Sequence, residues 1–171
     1  MIALATFYSY DNARSDMNEE RFAVWQALLG AQGIIADRID RLMIDRAEMT
    51  LAEFEVLDRL ASADDHTVRM NELASGVRLS PSGLTRRFDS LVRRGWVVRE
   101  PCEDDRRGIN ARLTADGLAK HGAAVGVHDE GVEEYLLENI DEQEPECLTR
   151  VLCRLAERDD VRGAPPAATA R

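Results

Sequence analysis

A mainly α-helical fold carrying one small β-hairpin is what this 171-residue chain predicts, and three observations predict it. Apolar residues recur every three or four positions over long stretches at both ends, the mark of amphipathic helices. In the middle, a short helical segment, a tight turn and a second helix opened by Ser80-Pro81 make a helix-turn-helix. Directly after it, two alternating segments joined by a charged, turn-rich stretch read as a hairpin, the wing of a winged helix-turn-helix. The plan is a leader or arm at 1–18, a dimerisation helix at 19–48 and a winged module at 49–114. C-terminal dimerisation helices follow at 115–158, then a disordered tail at 159–171.

Each element follows from local chemistry. Residues 1–16 show no clear period, and Met17 offers an alternative start. From Glu19 to about Arg46, Phe22, Trp25, Leu29, Ile35, Ile39 and Leu42 form an apolar stripe. A helix of that length runs about 42 Å at 1.5 Å per residue, more than a small core can cover, so it needs a second partner. Thr50-Leu51-Ala52-Glu53 is a capping box, opening a helix whose core stripe is Phe54, Leu57, Leu60 and Ala61. Ala63–Val68 is expected as a polar turn, and Met70–Val77 as a short helix with Leu73, Ala74 and Val77 facing inward. The Ser80-Pro81 helix runs to about Arg94 and stops at Gly95. Trp96–Glu100 and Ile109–Leu113 alternate like strands. Thr114 caps a further helix to about Asn139, and a second capping box, Asp141–Glu144, opens a last helix bearing Leu148, Val151, Leu152 and Leu155.

Charge is distributed unevenly. Lys plus Arg number 22 against 32 Asp plus Glu, a net −10. Residues 78–112 nevertheless hold nine Arg against five acidic residues, a +4 island that leaves −14 on the rest. An acidic protein repels phosphate overall, so a basic island within it implies one surface aimed at a polyanion. Three Cys without CxxC spacing fit a reducing, cytoplasmic setting, and the N-terminus lacks the basic region of a signal peptide. No apolar run is long enough to span a bilayer, which excludes a helical membrane role.

The island centres on the second helix of the helix-turn-helix. At 100° per residue, Leu84, Phe88 and Leu91 form one buried seam, and Ser82, Arg86, Ser90 and Arg93 lie opposite. Arg can grip guanine O6 and N7 bidentately, and Ser can bond base or phosphate. Ser80, Ser82, Thr85 and Arg86, at the first turn, are placed deepest in a major groove; Arg93 and Arg94 are placed as phosphate clamps. Thr85 and Arg87 sit on the flanks of the seam, where packing or internal pairing competes with DNA contact.

Over roughly residues 20–156 the chain resembles the MarR family of winged-helix regulators. The matching text is LAEFEVLDRLAS, MNELASGVRLSPSGLTRRFDSLVRRGWVVRE and DDRRGINARLTADG. Its most specific piece is Asp105-x-Arg107 of the wing followed by Leu113, Thr114 and Gly117. The resemblance implies an obligate dimer, intertwined through the helix at 19–46 and the last two helices. It implies a pseudo-palindromic double-stranded operator, often beside the regulator's own gene, and a role as a ligand-responsive repressor. It places Arg107, held by Asp105, in the minor groove with Arg106 beside it, which suits the pull of a narrow groove on a loop Arg.

The same resemblance implies a small aromatic acid or phenol as effector, lodged between the dimer helices and the DNA-binding lobe. Phe22, Trp25, Glu55, Arg99 and His128 are the candidate lining residues. Glu55, Arg87 and Arg99 fall where the urate-responsive branch carries an acid and two arginines, although the acid there is usually Asp. Core or interface packing competes for Phe22 and Trp25. His121 and His128, two turns apart, are too distant to share a metal, and no cofactor is expected. Cys102 lies among Glu100, Glu103 and Asp104, a setting that disfavours a thiolate, and Cys147 and Cys153 point to different sides of one helix. The alternatives are a redox-responsive regulator using a Cys and a winged-helix module that docks a protein. No nucleophile–base pair, metal set or Gly-rich phosphate loop supports an enzyme.

Overall fold

A computed structural model describes residues 19–76, 81–102 and 108–158; residues 1–18, 77–80, 103–107 and 159–171, Val77 of the expected short helix among them, lie outside the described residues. The chain divides into two compact units, residues 1–34 and 35–171. Six α-helices and three strands are described: α1 (Glu19–Ala47), α2 (Leu51–Ala61), β1 (Thr67–Arg69), α3 (Met70–Gly76), α4 (Pro81–Arg93), β2 (Val97–Pro101), β3 (Ile109–Leu113), α5 (Ala115–Tyr135) and α6 (Pro145–Arg158). Short 3-10 turns stand at Asp64–His66 and Leu137–Asn139. No helix among the described residues is long and apolar enough to cross a membrane.

The second unit is built on α2, which begins where the sequence places it. Thr50 Oγ1 accepts from the Glu53 amide at 3.2 Å and Glu53 Oε2 accepts from the Thr50 amide at 3.0 Å, so both bonds of the capping box form. Thr50 Oγ1 also accepts from Arg87 of α4 at 3.2 Å. Thr50→Ala is therefore expected to cost about 1–2 kcal/mol of stability, read as a lowered urea midpoint with unchanged m value.

The core joins α2 (Phe54, Val56, Leu57, Leu60) to Leu73 of α3, Leu84, Phe88 and Leu91 of α4, and Val97, Ala111 and Leu113 of the sheet. The last part of α1 joins it through Ile39, Met43 and Ala47. Gly131 of α5 faces Leu42 and Ile39, where a Cβ would stand 3.1 Å from a Leu42 methyl, so this glycine sets how closely α5 meets α1.

Three boundaries differ from the expectation. The expected turn at Ala63–Val68 ends in a strand: β1 pairs with β3 (Val68 opposite Ala111), giving a three-stranded antiparallel sheet in the order β1-β3-β2. Only Val68 of β1 is buried, so three residues offer no alternation to read. The helix after Thr114 stops at Tyr135 rather than Asn139, and residues 137–139 tighten into a 3-10 turn. The last helix begins at Pro145 rather than just after Asp141. Glu144 does reach back to the Asp141 amide at 3.0 Å, but that box closes a turn, and Pro145 at the first helical position sets the start.

Candidate nucleic-acid interface

Helix α4 has the two-sided character its sequence predicts. Leu84, Phe88 and Leu91 are 3%, 0% and 0% exposed, packed on α2 and the sheet. Thr85, Arg86 and Arg93 are exposed, and Ser90 is half-buried. Arg86 and Arg93 are seven residues apart, two turns of one face. Among the described residues neither guanidinium has a hydrogen-bond or ion-pair partner. Ser80, Asp105, Arg106 and Arg107 lie outside the described residues, as does the side chain of Ser82.

The other described arginines of the basic island are engaged within the protein. Arg87 is half-buried and donates to Thr50. Arg94, expected as a phosphate clamp, turns instead to the junction of α1 and α2. Its Nη1 donates to the Glu48 carbonyl at 2.8 Å and lies 3.9 Å from the buried Glu53 carboxylate, and its Cζ stands 4.4 Å from the centroid of the Trp96 ring. Arg99 of β2 pairs with Asp89 of α4 and stands 4.9 Å over Phe88, tying the wing to the helix. Arg112 pairs across the sheet with Glu100. That hydrogen bond holds the Glu100 carboxyl below its ordinary range and raises the Arg112 guanidinium; both groups are solvent-exposed, so the pair adds little to stability. Arg46 of α1 is raised in the same way by the hydrogen bond it donates to Glu130. Among the described residues, four of the island's arginines are thus bonded internally, and the outward charge on α4 is Arg86 and Arg93. Heptad spacing separates the two pairs: Arg87 and Arg94 lie about 100° round the helix from Arg86 and Arg93, on the flank of the buried seam.

A model of the MarR family matches residues 49–109, from the residue before the α2 cap to the first residue of β3. Residues 49–109 thus carry a MarR-family domain. The HTH-type transcriptional regulator PecS of Dickeya dadantii is 28% identical over 145 residues, covering 84% of this chain and 86% of PecS. The HTH-type transcriptional repressor YetL of Bacillus subtilis is 29% identical over 109 residues, 64% of this chain and 65% of YetL. Sco3205, a MarR family transcriptional regulator from Streptomyces coelicolor solved in complex with DNA, superposes with a TM-score of 0.79 at 25% identity, over 93% of this chain and 97% of that one. Each of these matched proteins is named a transcriptional regulator or repressor.

Thr114 and Gly117, part of the most specific piece of the MarR resemblance, have a physical role at the joint between β3 and α5. Thr114 caps α5, its Oγ1 accepting from the Gly117 amide at 3.0 Å. Thr114 also donates to Trp96, from its amide at 3.0 Å and from its hydroxyl at 3.1 Å. A Cβ on Gly117 would lie 2.0 Å from that same Trp96 carbonyl oxygen, so only glycine admits the contact.

The candidate effector residues occupy separate local settings. In the first unit Phe22 is half-buried and Trp25 is 53% exposed. In the second, Glu55 is half-buried, Arg87 is held by Thr50 and Arg99 by Asp89. His128 stacks on Phe54 with centroids 4.5 Å apart, and His121 stacks on the same ring at 5.4 Å. His121 Nε2 lies 2.9 Å from Asp58 and His128 Nδ1 3.1 Å from Asp129, so each imidazole has a carboxylate partner. Arg69 donates to the Cys102 Sγ at 3.0 Å, and Glu103 and Asp104, two of the acidic neighbours expected there, lie outside the described residues. Cys147 and Cys153 are free and exposed.

Proposed function

We propose that this protein is a homodimeric MarR-family repressor that reads a pseudo-palindromic operator with α4 in the major groove. The observation that carries the reading is the partition of α4: an apolar seam buried in the core, with Arg86 and Arg93 outward and unspent among the described residues. A guanidinium already bonded internally must break that bond to grip DNA; these two need not. Ser80, Ser82, Thr85 and Arg86 are assigned to base edges near the first turn, and Ser90 and Arg93 to the backbone. Arg107, with Arg106 beside it and Asp105 orienting it, is assigned to the minor groove. The DNA complex of Sco3205 and the repressor name of YetL support the same reading.

A dimer is supported by apolar surface. Val24, Trp25, Leu28, Leu29 and Ile34 of α1 are exposed by 41–69%, and Leu148, Leu152 and Leu155 of α6 by 39–52%. Two such stripes are more apolar surface than a soluble monomer ordinarily leaves bare. The two α4 helices must then sit about 34–36 Å apart. A small aromatic or phenolic effector would act by binding one spacing better than the other, with Phe22, Trp25, Glu55, Arg87, Arg99 and His128 as its candidate contacts. An anionic effector would compete with Thr50 and Asp89 for the two arginines.

The test is titration of the promoter duplex of the regulator's own gene across a range of salt, with sedimentation to weigh the complex. Nanomolar affinity, a steep loss with salt and a stoichiometry of two chains per site are expected. Equal affinity for a shuffled duplex, or one chain per site, would sink the reading.

A further inference from the structure

Glu48, the residue between α1 and α2, holds a left-handed backbone with φ 53°. Such a conformation is unfavourable for a non-glycine residue and persists where its surroundings enforce it. Here two other elements grip it. Arg94, just past the end of α4, donates to its carbonyl, and Lys120 of α5 lies 3.4 Å from its carboxylate. The same two cations stand over the Trp96 ring, at 4.4 and 5.4 Å from its centroid. Glu53, 6% exposed, supplies the buried charge that Arg94 faces at 3.9 Å. The end of α4 is thereby tied at one point to α1, α2, β2 and α5.

We propose that Arg94 is a positioning residue: with Glu48, Glu53, Trp96 and Lys120 it anchors the C-terminal end of α4 to the α1–α2 junction and so sets the pose of the outer face of α4 on DNA, instead of taking a phosphate itself. The proposal rests on the DNA-binding reading above. Helix α4 has 13 residues, about 20 Å at 1.5 Å per residue. A tilt of about 5° about its far end moves the first turn by about 2 Å, beyond the tolerance of a hydrogen bond to a base edge. Losing the anchor therefore harms sequence-specific contacts and leaves the phosphate count unchanged.

The experiment compares the full-length wild type with Arg94→Ala, Glu53→Gln and the double variant, on the promoter duplex and on a shuffled duplex, over a range of salt. Glu53→Gln keeps a capping-box acceptor for the Thr50 amide and removes only the charge. Each single variant is expected to weaken promoter binding about tenfold, the size of one charge-assisted hydrogen bond. The double should be no weaker than the worse single, with the salt slope and the shuffled-duplex affinity as in wild type. If Arg94→Ala flattens the slope and weakens both duplexes alike, while Glu53→Gln binds as wild type, Arg94 is a phosphate contact and the proposal is overturned. Urea unfolding of the same four proteins reads the anchor without DNA. Non-additive midpoint shifts are expected, and strictly additive ones overturn the anchor even if the wild type binds no duplex, a result that would separately end the functional reading.

Discussion

Arg86→Ala is expected to weaken operator binding on the order of a hundredfold or more and to relax base preference at one position of each half-site. A bidentate Arg contact to guanine is worth about 1–3 kcal/mol, and a two-fold complex loses it twice. Arg86 stands exposed on the outer face of α4 with no internal partner among the described residues, so its loss leaves the fold intact. The matching variant Arg93→Ala, two turns along the same face, should act differently. It should weaken all duplexes alike and reduce the salt slope by about 0.9 for each phosphate contact removed. A binding-site selection run on the wild type and both variants, with salt titrations, separates the two. Unchanged base preference for Arg86→Ala would remove this residue from the base-reading set.

Gly117→Ala is expected to cost about 3 kcal/mol or more, enough to unfold a marginal domain. The added Cβ would meet the Trp96 carbonyl oxygen at 2.0 Å and a Leu113 methyl at 2.9 Å. The oxygen belongs to backbone, so relief requires moving the wing away from α5. That movement breaks the two hydrogen bonds from Thr114 to the same carbonyl and disturbs Trp96 between Arg94 and Lys120. Overpacking against backbone is among the few mechanisms that give so large an effect from one methyl. Calorimetry is the direct check. By contrast Gly122→Ala, on the same helix with nothing within 4 Å of its Cβ, should stabilise by up to about 1 kcal/mol through helix propensity. If both variants melt alike, the close approach at Gly117 is not the cause.

The parts of this fold legible in the sequence are those whose chemistry is local. The Thr50–Glu53 box, the helix start at Pro81, the Gly95 stop with its φ of 75° and the Thr114 cap each act within a turn or two of chain. The buried seam of α4 was readable for the same reason, because helical period places Leu84, Phe88 and Leu91 together whatever surrounds them. β1 was not readable: its three residues are ordered by β3, more than forty positions away. The Asp141–Glu144 box misled because a box can close a turn as well as open a helix, and Pro145 decided between the two.

By itself, then, the sequence determined a winged helix-turn-helix with one apolar and one basic face on its second helix, since a side chain's face follows from the helical period alone. Which arginines of that basic segment remain available was decided by the tertiary structure. Arg94 meets a carbonyl 46 positions away and Arg87 a hydroxyl 37 positions away. An ion pair or hydrogen bond depends on distance in space, which the chain's local pattern does not encode, and so the division between arginines that hold the fold and arginines that face outward belongs to the packing.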